Sequence, residues 1–382
     1  MNGYERIMAA MRGEQPDRVP TFELLINAPV IEGLHPDLAI GKERQSGSSD
    51  MTGGSKEGFE SLARFIERED IDAILIFEEF HPKKWLDSEY YVDEWDITWK
   101  AASPGLHPYV VEHPIKDEKD LDSYTPPDPD ADYRMDTLKE AVKRFKGEKA
   151  IVFLSNESFF YSFFLRGMEN LLMDYILNPE FAKRLARMII ENKKRIFERA
   201  IEAGADILMT GDDYAHKNAP IMSPTCFKEF VLPYLQQNVD VAKKYDVPII
   251  KHTDGNIWPI IDMIVDTGID ALNPIEPNAG MDIGEVKEKY GKRVALMGNI
   301  DCGELLSRGT EEEVVEAVKE TIAKASVGGG HILASSNSIH PAVNPQNYKT
   351  MLEACKRYGQ YPLDEKMVEE YKKKDYYAKF RG

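Results

Sequence analysis

Eight short apolar runs, each ending in polar residues, recur along this chain of 382 residues. Each run has the length of a β-strand and is almost continuously apolar, which is typical of strands that are buried on both faces. The runs cover residues 19–25, 73–80, 150–157, 207–214, 248–256, 271–277, 294–301 and 331–339. Amphipathic stretches with helix start signals, such as Asn178-Pro179 and the capping box Thr310-x-x-Glu313, lie between them. This alternation of strands and helices predicts an α/β fold, the (β/α)8 TIM barrel.

Two segments depart from a minimal barrel. Residues 81–150 are far more than a strand-to-helix connection needs, and they hold three of the four tryptophans. We expect a small β-containing excursion after strand 2 that covers part of the barrel mouth. Residues 47–55, GSSDMTGGS, predict a mobile lid or a surface loop.

The domain organisation follows from the same pattern. We expect one barrel domain over residues 1–362 that includes the excursion over residues 81–150. Residues 363–382 form a charged C-terminal tail rich in Lys, Glu and Tyr. Such a tail is typical of a solvated terminal helix or of an oligomer contact, as in a homodimer.

Composition excludes several functional classes. The chain has 66 acidic and 48 basic residues and a formal net charge of −18, which disfavours partners such as nucleic acid or an anionic membrane. It has no apolar run of ~18 residues and no signal-peptide core near the N-terminus. Its three cysteines (Cys226, Cys302 and Cys355) are far apart and form neither a disulfide framework nor a CxxC metal motif. We therefore expect a soluble, cytoplasmic protein.

Polar side chains follow the predicted strands at the edge where barrel enzymes place their sites. These are Glu78, Glu79, Asn156, Glu157, Asp212, Asp213, His252, Asp254, Glu276, Asn299, Asp301, Ser335, Ser336 and Asn337. Carboxylates that converge at this edge repel one another, and a divalent cation, a cationic ligand or protonation of some of them would relieve the repulsion. Alternatively, several of these carboxylates face outward and cap helix N-termini. The candidate substrate-binding residues are Asn156, Glu157, Asp212, Tyr214, Asn299 and Asp301. Consecutive Asp212 and Asp213 cannot both face inward, and we favour Asp213 as the catalytic one.

The most specific signal is the run PIIKHTDGN at residues 248–256. Strand alternation places His252 and Asp254 on one face and Lys251 on the other. Because the flanking residues are apolar, the strand is central, and both side chains point into the barrel mouth. The pair could share a divalent metal, or it could act as an acid/base dyad; a structural role for His252 is the third alternative.

A series of longer motifs runs through the chain in order. They are ERIMAAMRGEQPDRVP, FLRGMENLLMDYILNPE, GDDYAHKNAPIMSPTCFKEFVLPYL, KHTDGNIWPIIDMIVDTGIDALNPIEPNAGMD, KEKYGKRVALMGNID, GGGHILASSNSI and PQNYKTMLEACKRYGQYP. From about residue 5 to residue 362, the series resembles the uroporphyrinogen decarboxylase superfamily. The resemblance implies a (β/α)8 barrel, in agreement with the strand count.

The superfamily has two broad branches. True decarboxylases carry an arginine-rich element after the first strand, which grips the carboxylates of a porphyrinogen. Here residues 19–33 read VPTFELLINAPVIEG and contain no arginine. An acidic rim would also repel a polycarboxylate. We therefore expect the second branch, methyltransferases that move methyl groups to or from a separate corrinoid protein, and keep a decarboxylase-type lyase as the alternative.

The resemblance also implies a metal. Members that methylate thiols hold zinc through His-x-Cys on strand five and a Cys after strand eight. His252 matches the histidine, Asp254 occupies the first Cys position, and the segment around Asn337 replaces the second. These oxygen donors favour a relative of the O-demethylases, in which zinc or another divalent metal acts as a Lewis acid on the ether of a methoxylated methyl donor. The expected metal ligands are His252 and Asp254, and the expected catalytic residues are Asp213, His252 and Asp254.

Overall fold

A parallel sheet of seven strands lies at the centre of the computed structural model, which describes residues 1–40, 56–101 and 108–380. The strands in chain order are β1 (Ala73–Phe77), β2 (Pro82–Trp85), β3 (Tyr90–Asp93), β4 (Thr98–Lys100), β5 (Tyr109–Glu112), β6 (Ala150–Ser155), β7 (Ile207–Thr210), β8 (Ile249–His252), β9 (Ala271–Asn273), β10 (Ala295–Ile300) and β11 (His331–Ser335). The parallel sheet has the order β1-β6-β7-β8-β9-β10-β11, so neighbours in the sheet follow one another along the chain. This is the arrangement of a TIM-like α/β fold.

The first of the eight predicted runs forms isolated bridges instead of a strand. Thr21 pairs in parallel with Leu333 of β11, whose N–H donates to the Pro20 carbonyl at 2.9 Å. On the other side, the Thr21 carbonyl accepts the Asp72 N–H at 3.0 Å, just before β1. Pro20 has no N–H to donate, which limits regular pairing here. Seven predicted strands therefore form as strands, and the first run lies between the two edges of the sheet.

Helices surround the parallel sheet, and most of them lie on its outer face. They are α1 (Gly3–Met11), α2 (Ala28–Leu34), α3 (Lys56–Arg68), α4 (Glu118–Ser123), α5 (Asp136–Phe145), α6 (Phe159–Arg166), α7 (Met168–Leu177), α8 (Pro179–Ala203), α9 (Pro224–Phe230), α10 (Leu232–Lys244), α11 (Ile261–Asp266), α12 (Ile283–Tyr290), α13 (Leu305–Arg308), α14 (Glu311–Ala325), α15 (Pro345–Tyr358) and α16 (Glu365–Tyr371). The start signals at Asn178-Pro179 and at the Thr310/Glu313 capping box are confirmed for α8 and α14. Every described helix is too short or too polar to cross a membrane.

Strand alternation divides the core into two layers. Side chains such as Leu75, Val152 and Met209 form an inner cluster, which α1 closes at the amino ends of the strands. Their neighbours, such as Phe153 and Leu208, pack outward against the helices. A residue's position in the alternation therefore decides whether it faces the barrel interior or the helix layer.

A second, antiparallel sheet follows β1 in the chain. Its order is β2-β3-β4-β5, and it precedes α4. The Trp99 ring packs edge-on against Phe164 of α6 at 5.1 Å between centroids, and Trp95 lies 4.6 Å from Tyr161 of the same helix. The small sheet is thus fastened to the helix that follows β6. Residues 47–55, for which a lid or loop is predicted, lie outside the described residues.

The described part of the C-terminal tail packs on the domain. In α16, the Tyr371 hydroxyl donates to Glu316 Oε1 of α14 at 2.7 Å. A 3-10 helix follows at Tyr376–Phe380, where the buried Tyr377 hydroxyl accepts the Asp301 N–H at 3.2 Å. These contacts join residues 363–380 to α14 and to the loop after β10. The boundary at residue 362 stays a prediction.

Candidate functional site

The loops after β7 and β8 bring Asp213, His252 and Asp254 together. One ligand atom from each of the three side chains lies within 4.8 Å of the others. His252 Nε2 is 3.5 Å from Asp213 Oδ1 and 3.6 Å from Asp254 Oδ1. The side chain of Asp213 is 30% exposed and that of Asp254 is 22% exposed, whereas that of His252 is 6% exposed. The cluster therefore has a buried imidazole with two carboxylates on its open side.

The histidine is held in one orientation by the end of the next strand. His252 Nδ1 lies 2.6 Å from Asn273 Oδ1. The Asn273 amide is oriented by its own donation from Nδ2 to the Met297 carbonyl at 3.1 Å. Nδ1–H therefore donates to Asn273, and the lone pair on Nε2 faces the two carboxylates. Burial lowers the pKa of His252, which favours the neutral imidazole that a metal ligand requires.

One oxygen of Asp254 has a partner and the other has none. Asn337 Nδ2 donates to Asp254 Oδ2. Asp254 Oδ1 is buried, and no group in residues 1–40, 56–101 and 108–380 donates a hydrogen bond to it. Burial, followed by the nearby carboxylates of Asp213 and Glu276, raises the pKa of Asp254 well above its ordinary value. An unpaired buried carboxylate oxygen beside an imidazole lone pair is unfavourable unless a cation binds between them or the carboxyl keeps its proton.

The consecutive aspartates after β7 face opposite sides. Asp213 Oδ1 accepts the Asp254 N–H at 2.9 Å, so Asp213 belongs to the cluster. Asp212 is fully buried, and its carboxylate accepts Asn156 Nδ2 at 2.8 Å and the Phe160 N–H at 3.1 Å. Asp212 and Asn156 therefore hold the loop between β6 and α6. Asp212 has no exposed surface and Asn156 is partly exposed, and their predicted contact with a substrate stays a prediction.

Glu157 and Tyr214 lie on the helix side of the barrel wall. Both are fully buried, and Glu157 Oε2 accepts the Tyr214 hydroxyl at 2.6 Å. Glu157 Oε1 accepts Lys251 Nζ at 2.8 Å and also the Thr210 hydroxyl. Burial raises the pKa of Glu157 to about 7, and the Lys251 ammonium opposes this effect. Neither side chain has exposed surface in this structure, and their role in substrate binding stays a prediction.

Asn299 and Asp301, at the end of β10, form hydrogen bonds with neighbouring segments of the chain. The Asn299 amide donates to the Ile275 carbonyl at 3.0 Å and accepts the Thr321 hydroxyl at 3.2 Å. Asp301 Oδ2 accepts the Leu305 N–H at 2.8 Å at the start of α13, where a carboxylate caps the helix. Both side chains are buried. The capping alternative describes Asp301 better than substrate binding does.

Comparison with known proteins decides the family. The family model for uroporphyrinogen decarboxylase (URO-D) matches residues 100–358. The chain belongs to the URO-D family. This confirms the predicted superfamily.

Relatives of this URO-D family member include the uroporphyrinogen decarboxylase of Chlorobium limicola, which is 31% identical over 256 residues, or 63% of this chain and 70% of the relative. The uroporphyrinogen decarboxylase of Thioalkalivibrio sulfidiphilus is 22% identical over 382 residues, or 93% and 98%. Among solved structures, a methyltransferase from Methanosarcina mazei matches with a TM-score of 0.74 at 20% identity, covering 94% of this chain and 99% of that chain. At this level of identity the structural match shows a common fold.

The donor set of this URO-D family member suits a divalent cation. One imidazole nitrogen and two carboxylates are ligands that zinc and other divalent metals accept, and two negative charges balance a doubly charged ion. The unpartnered Asp254 Oδ1 is a donor with no competing hydrogen bond. His252 and Asp254 could therefore hold such an ion, with Asp213 as a third ligand.

Sequence reasoning missed Asn273, which orients the imidazole. Asn273 lies opposite His252 in the parallel register of β8 and β9. The sequence contains a signal for this residue, because Asn273 is the first polar residue after Ala271 and Leu272. The predicted strand extends past Asn273 to residue 277, so Asn273 was not recognised as a strand end. The partner of Lys251 was missed as well, although a lysine within a continuously apolar strand requires a buried carboxylate nearby.

Proposed function

We propose that the protein is a corrinoid-dependent methyltransferase that moves a methyl group between a methylated small molecule and the corrinoid of a separate protein. A methoxylated compound is the favoured methyl donor. The observation that carries the proposal is the Asp213–His252–Asp254 cluster with its unpartnered carboxylate oxygen. The fold shared with a methyltransferase from Methanosarcina mazei is consistent with it. The proposal treats residues 19–25 as the first strand, which completes the eight strands of a (β/α)8 barrel with the excursion over residues 81–150 at its mouth.

The residues present fit a metal, and His252 and Asp254 would hold zinc or another divalent ion beside Asp213. When bound, the ion would supply a Lewis acid that polarises the ether oxygen of the substrate. Asn273 keeps the imidazole in the tautomer with a free Nε2. Asn337 occupies Asp254 Oδ2 and so directs Oδ1 toward the histidine.

Glu276 accepts a hydrogen bond from the loop of Asp254 and has a raised pKa. Its Oε2 accepts the N–H of Gly255, the residue after Asp254, at 2.8 Å. Burial, together with the charges of Asp301 and Asp213, raises the pKa of Glu276. The group therefore retains its proton to higher pH than an exposed glutamate does.

A decarboxylase-type lyase is the second candidate, favoured by the names of the curated relatives. Such an enzyme must bind a polycarboxylate. Residues 19–33 contain no arginine, and the mouth presents the carboxylates of Asp213, Asp254 and Glu276. This charge disfavours an anionic substrate.

The deciding experiment measures both activities on one preparation of known metal content. Methyl transfer to a reduced corrinoid is followed with methoxylated aromatics, methylamines and methyl thioethers, and decarboxylation is followed with uroporphyrinogen. We expect methyl transfer with a methoxylated compound, stoichiometric divalent metal and no decarboxylation. Decarboxylation without methyl transfer would reject the proposal in favour of the lyase.

A further inference from the structure

The loop that carries Asp213 continues beyond the paired part of its strand. β7 pairs with β8 at three positions, the last being Thr210 with Lys251. Residues 211–214 therefore follow β7 without the ladder that fixes a strand. Asp213 nevertheless lies 3.5 Å from His252, so other contacts must fix this loop.

Lys251 provides one such contact from behind the barrel wall. It precedes His252 on β8 and faces the helix side, where its side chain is fully buried. Lys251 Nζ donates to the Asp212 carbonyl at 2.8 Å and to Glu157 Oε1 at 2.8 Å. The ammonium also lies 3.9 Å from the centroid of the Tyr214 ring. One cation thus contacts the residue before Asp213 and the residue after it.

The residue after Asp213 is fixed by two further bonds. The Tyr214 N–H donates to Thr253 Oγ1 at 2.9 Å, and the Tyr214 hydroxyl donates to Glu157 at 2.6 Å. Glu157 in turn accepts Lys251, so the network closes on itself. Asp213 is therefore held on both sides by groups that do not belong to the cluster.

We propose that Lys251, paired with Glu157, is a positioning residue: it holds the backbone of residues 212–214 so that Asp213 faces His252 and Asp254. This role rests on the proposed function insofar as the cluster binds a metal. The placement of Asp213 can be measured without any metal. Lys251 itself contacts neither a substrate nor a cofactor.

The chain contains a matched control for removal of this ion pair. Lys193 of α8 is also fully buried, its Nζ is 2.8 Å from Glu78 Oε2, and it lies 4.0 Å from the ring of Tyr161. Glu78 Oε2 accepts the Ser155 hydroxyl at 2.6 Å, as Glu157 accepts Thr210. The hydrogen bonds, ion pairs and ring contacts of this second pair are with β6, α6, Phe80, Trp95 and Arg134, and none within the described residues is with residues 212–214.

The test compares Lys251→Met/Glu157→Gln with Lys193→Met/Glu78→Gln. Both charges are removed in each variant, because a lone buried charge is strongly destabilising. Crystal structures measure the distance between Asp213 Oδ1 and His252 Nε2, and titration with Co²⁺ measures affinity and the d–d absorption of the bound ion. In the Lys251 variant we expect a displacement of Asp213 by about 1 Å or more, a changed Co²⁺ spectrum and about 10–100-fold weaker binding. The Lys193 variant should match the wild type in all three.

Each outcome decides the proposal. An unmoved Asp213 with unchanged Co²⁺ binding in the Lys251 variant would overturn it, as would equal weakening in both variants. If the wild type binds no Co²⁺ or Zn²⁺, the metal part of the proposed function fails, and the crystal structures alone decide the positioning role. Should the double variant not fold, Lys251→Gln/Glu157→Gln, which also removes both charges and whose shorter side chain at position 251 cannot span residue 157 and the Asp212 carbonyl together, is compared with Lys193→Gln/Glu78→Gln by the same measurements.

Discussion

Replacing Asp254 by Asn tests whether the cluster is built to hold a cation. Asp254 Oδ1 is buried without a hydrogen-bond partner, and the carboxylates of Asp213 and Glu276 lie nearby. A buried unsatisfied polar group costs about 1–3 kcal/mol. Asp254→Asn removes the charge while retaining an oxygen for Asn337. We therefore expect the metal-free variant to be more stable than the metal-free wild type by about 1–3 kcal/mol.

The assay is thermal unfolding in chelator near neutral pH. An unfolding entropy of about 2.1 cal/mol/K per residue gives roughly 0.8 kcal/mol/K for 382 residues. The expected gain therefore raises Tm by about 1–4 °C. Zinc at about 1,000 times the wild-type Kd should then stabilise the wild type by about 4.1 kcal/mol and the variant by less than about 1 kcal/mol. The order of the two melting temperatures should reverse.

The pH dependence has a definite sign. Because the pKa of Asp254 is raised in the folded state, the wild type loses stability as pH rises from the unfolded value of about 3.9 toward the raised folded value. The advantage of Asp254→Asn should therefore vanish as pH falls toward about 4. Asp301→Asn is the matched control: both oxygens of the Asp301 carboxylate accept N–H groups, so an Asn side chain must turn its NH2 group toward donors, and the variant should be less stable than the wild type by about 1–3 kcal/mol. A metal-free Asp254→Asn that melts below the wild type would refute the reasoning.

Four other outcomes are expected. His252→Ala should fold but purify inactive and metal-poor, with affinity reduced by more than the ~10–100-fold that loss of an outer partner causes; full metal content by elemental analysis would contradict this. Asp213→Asn should lower turnover about tenfold or more with little change in Tm, and equal activity would remove Asp213 from the mechanism. Burial lowers the pKa of His331 to about 3, so the wild type should lose about 1.4 kcal/mol of stability per pH unit below about 6.5 until that value, a slope that His331→Gln should lack in urea titrations. Limited proteolysis should release no stable folded fragment ending near residue 150, since the excursion packs on α6.

Much of the fold could be predicted because its signals are local. Seven apolar runs become the strands of the parallel sheet; α8 begins at Pro179 and α14 begins after the Thr310/Glu313 capping box, as expected. The first run was harder, because its pairing depends on partners far along the chain. Thr21 bridges Leu333, and Pro20 interrupts the donors that a regular strand would use. A run of correct length and polarity therefore does not guarantee a ladder.

The candidate site could be predicted only in part. Alternation within one strand placed His252 and Asp254 together, and the structure has both beside Asp213. The groups that orient them, Asn273 and Asn337, come from other strands. The contact of Asn273 depends on the register between β8 and β9, and that of Asn337 depends on the geometry of the loop after β11. A single sequence shows neither.

Carboxylates at strand ends look alike in sequence but differ in what neutralises them. Glu157 faces the helix layer, where Lys251 balances its charge, and Asp212 and Asp301 accept backbone N–H groups at helix starts. Each of these has a resident partner, so none needs a ligand. Asp254 differs, because one of its oxygens has no donor and its other neighbours include carboxylates. Glu78 also has an oxygen without a hydrogen-bond donor, but the cations of Lys193 and Arg134 lie beside it. Among these carboxylates, Asp254 therefore combines an unpartnered oxygen with the neighbouring imidazole of His252 and has no cationic side chain beside it in the described residues.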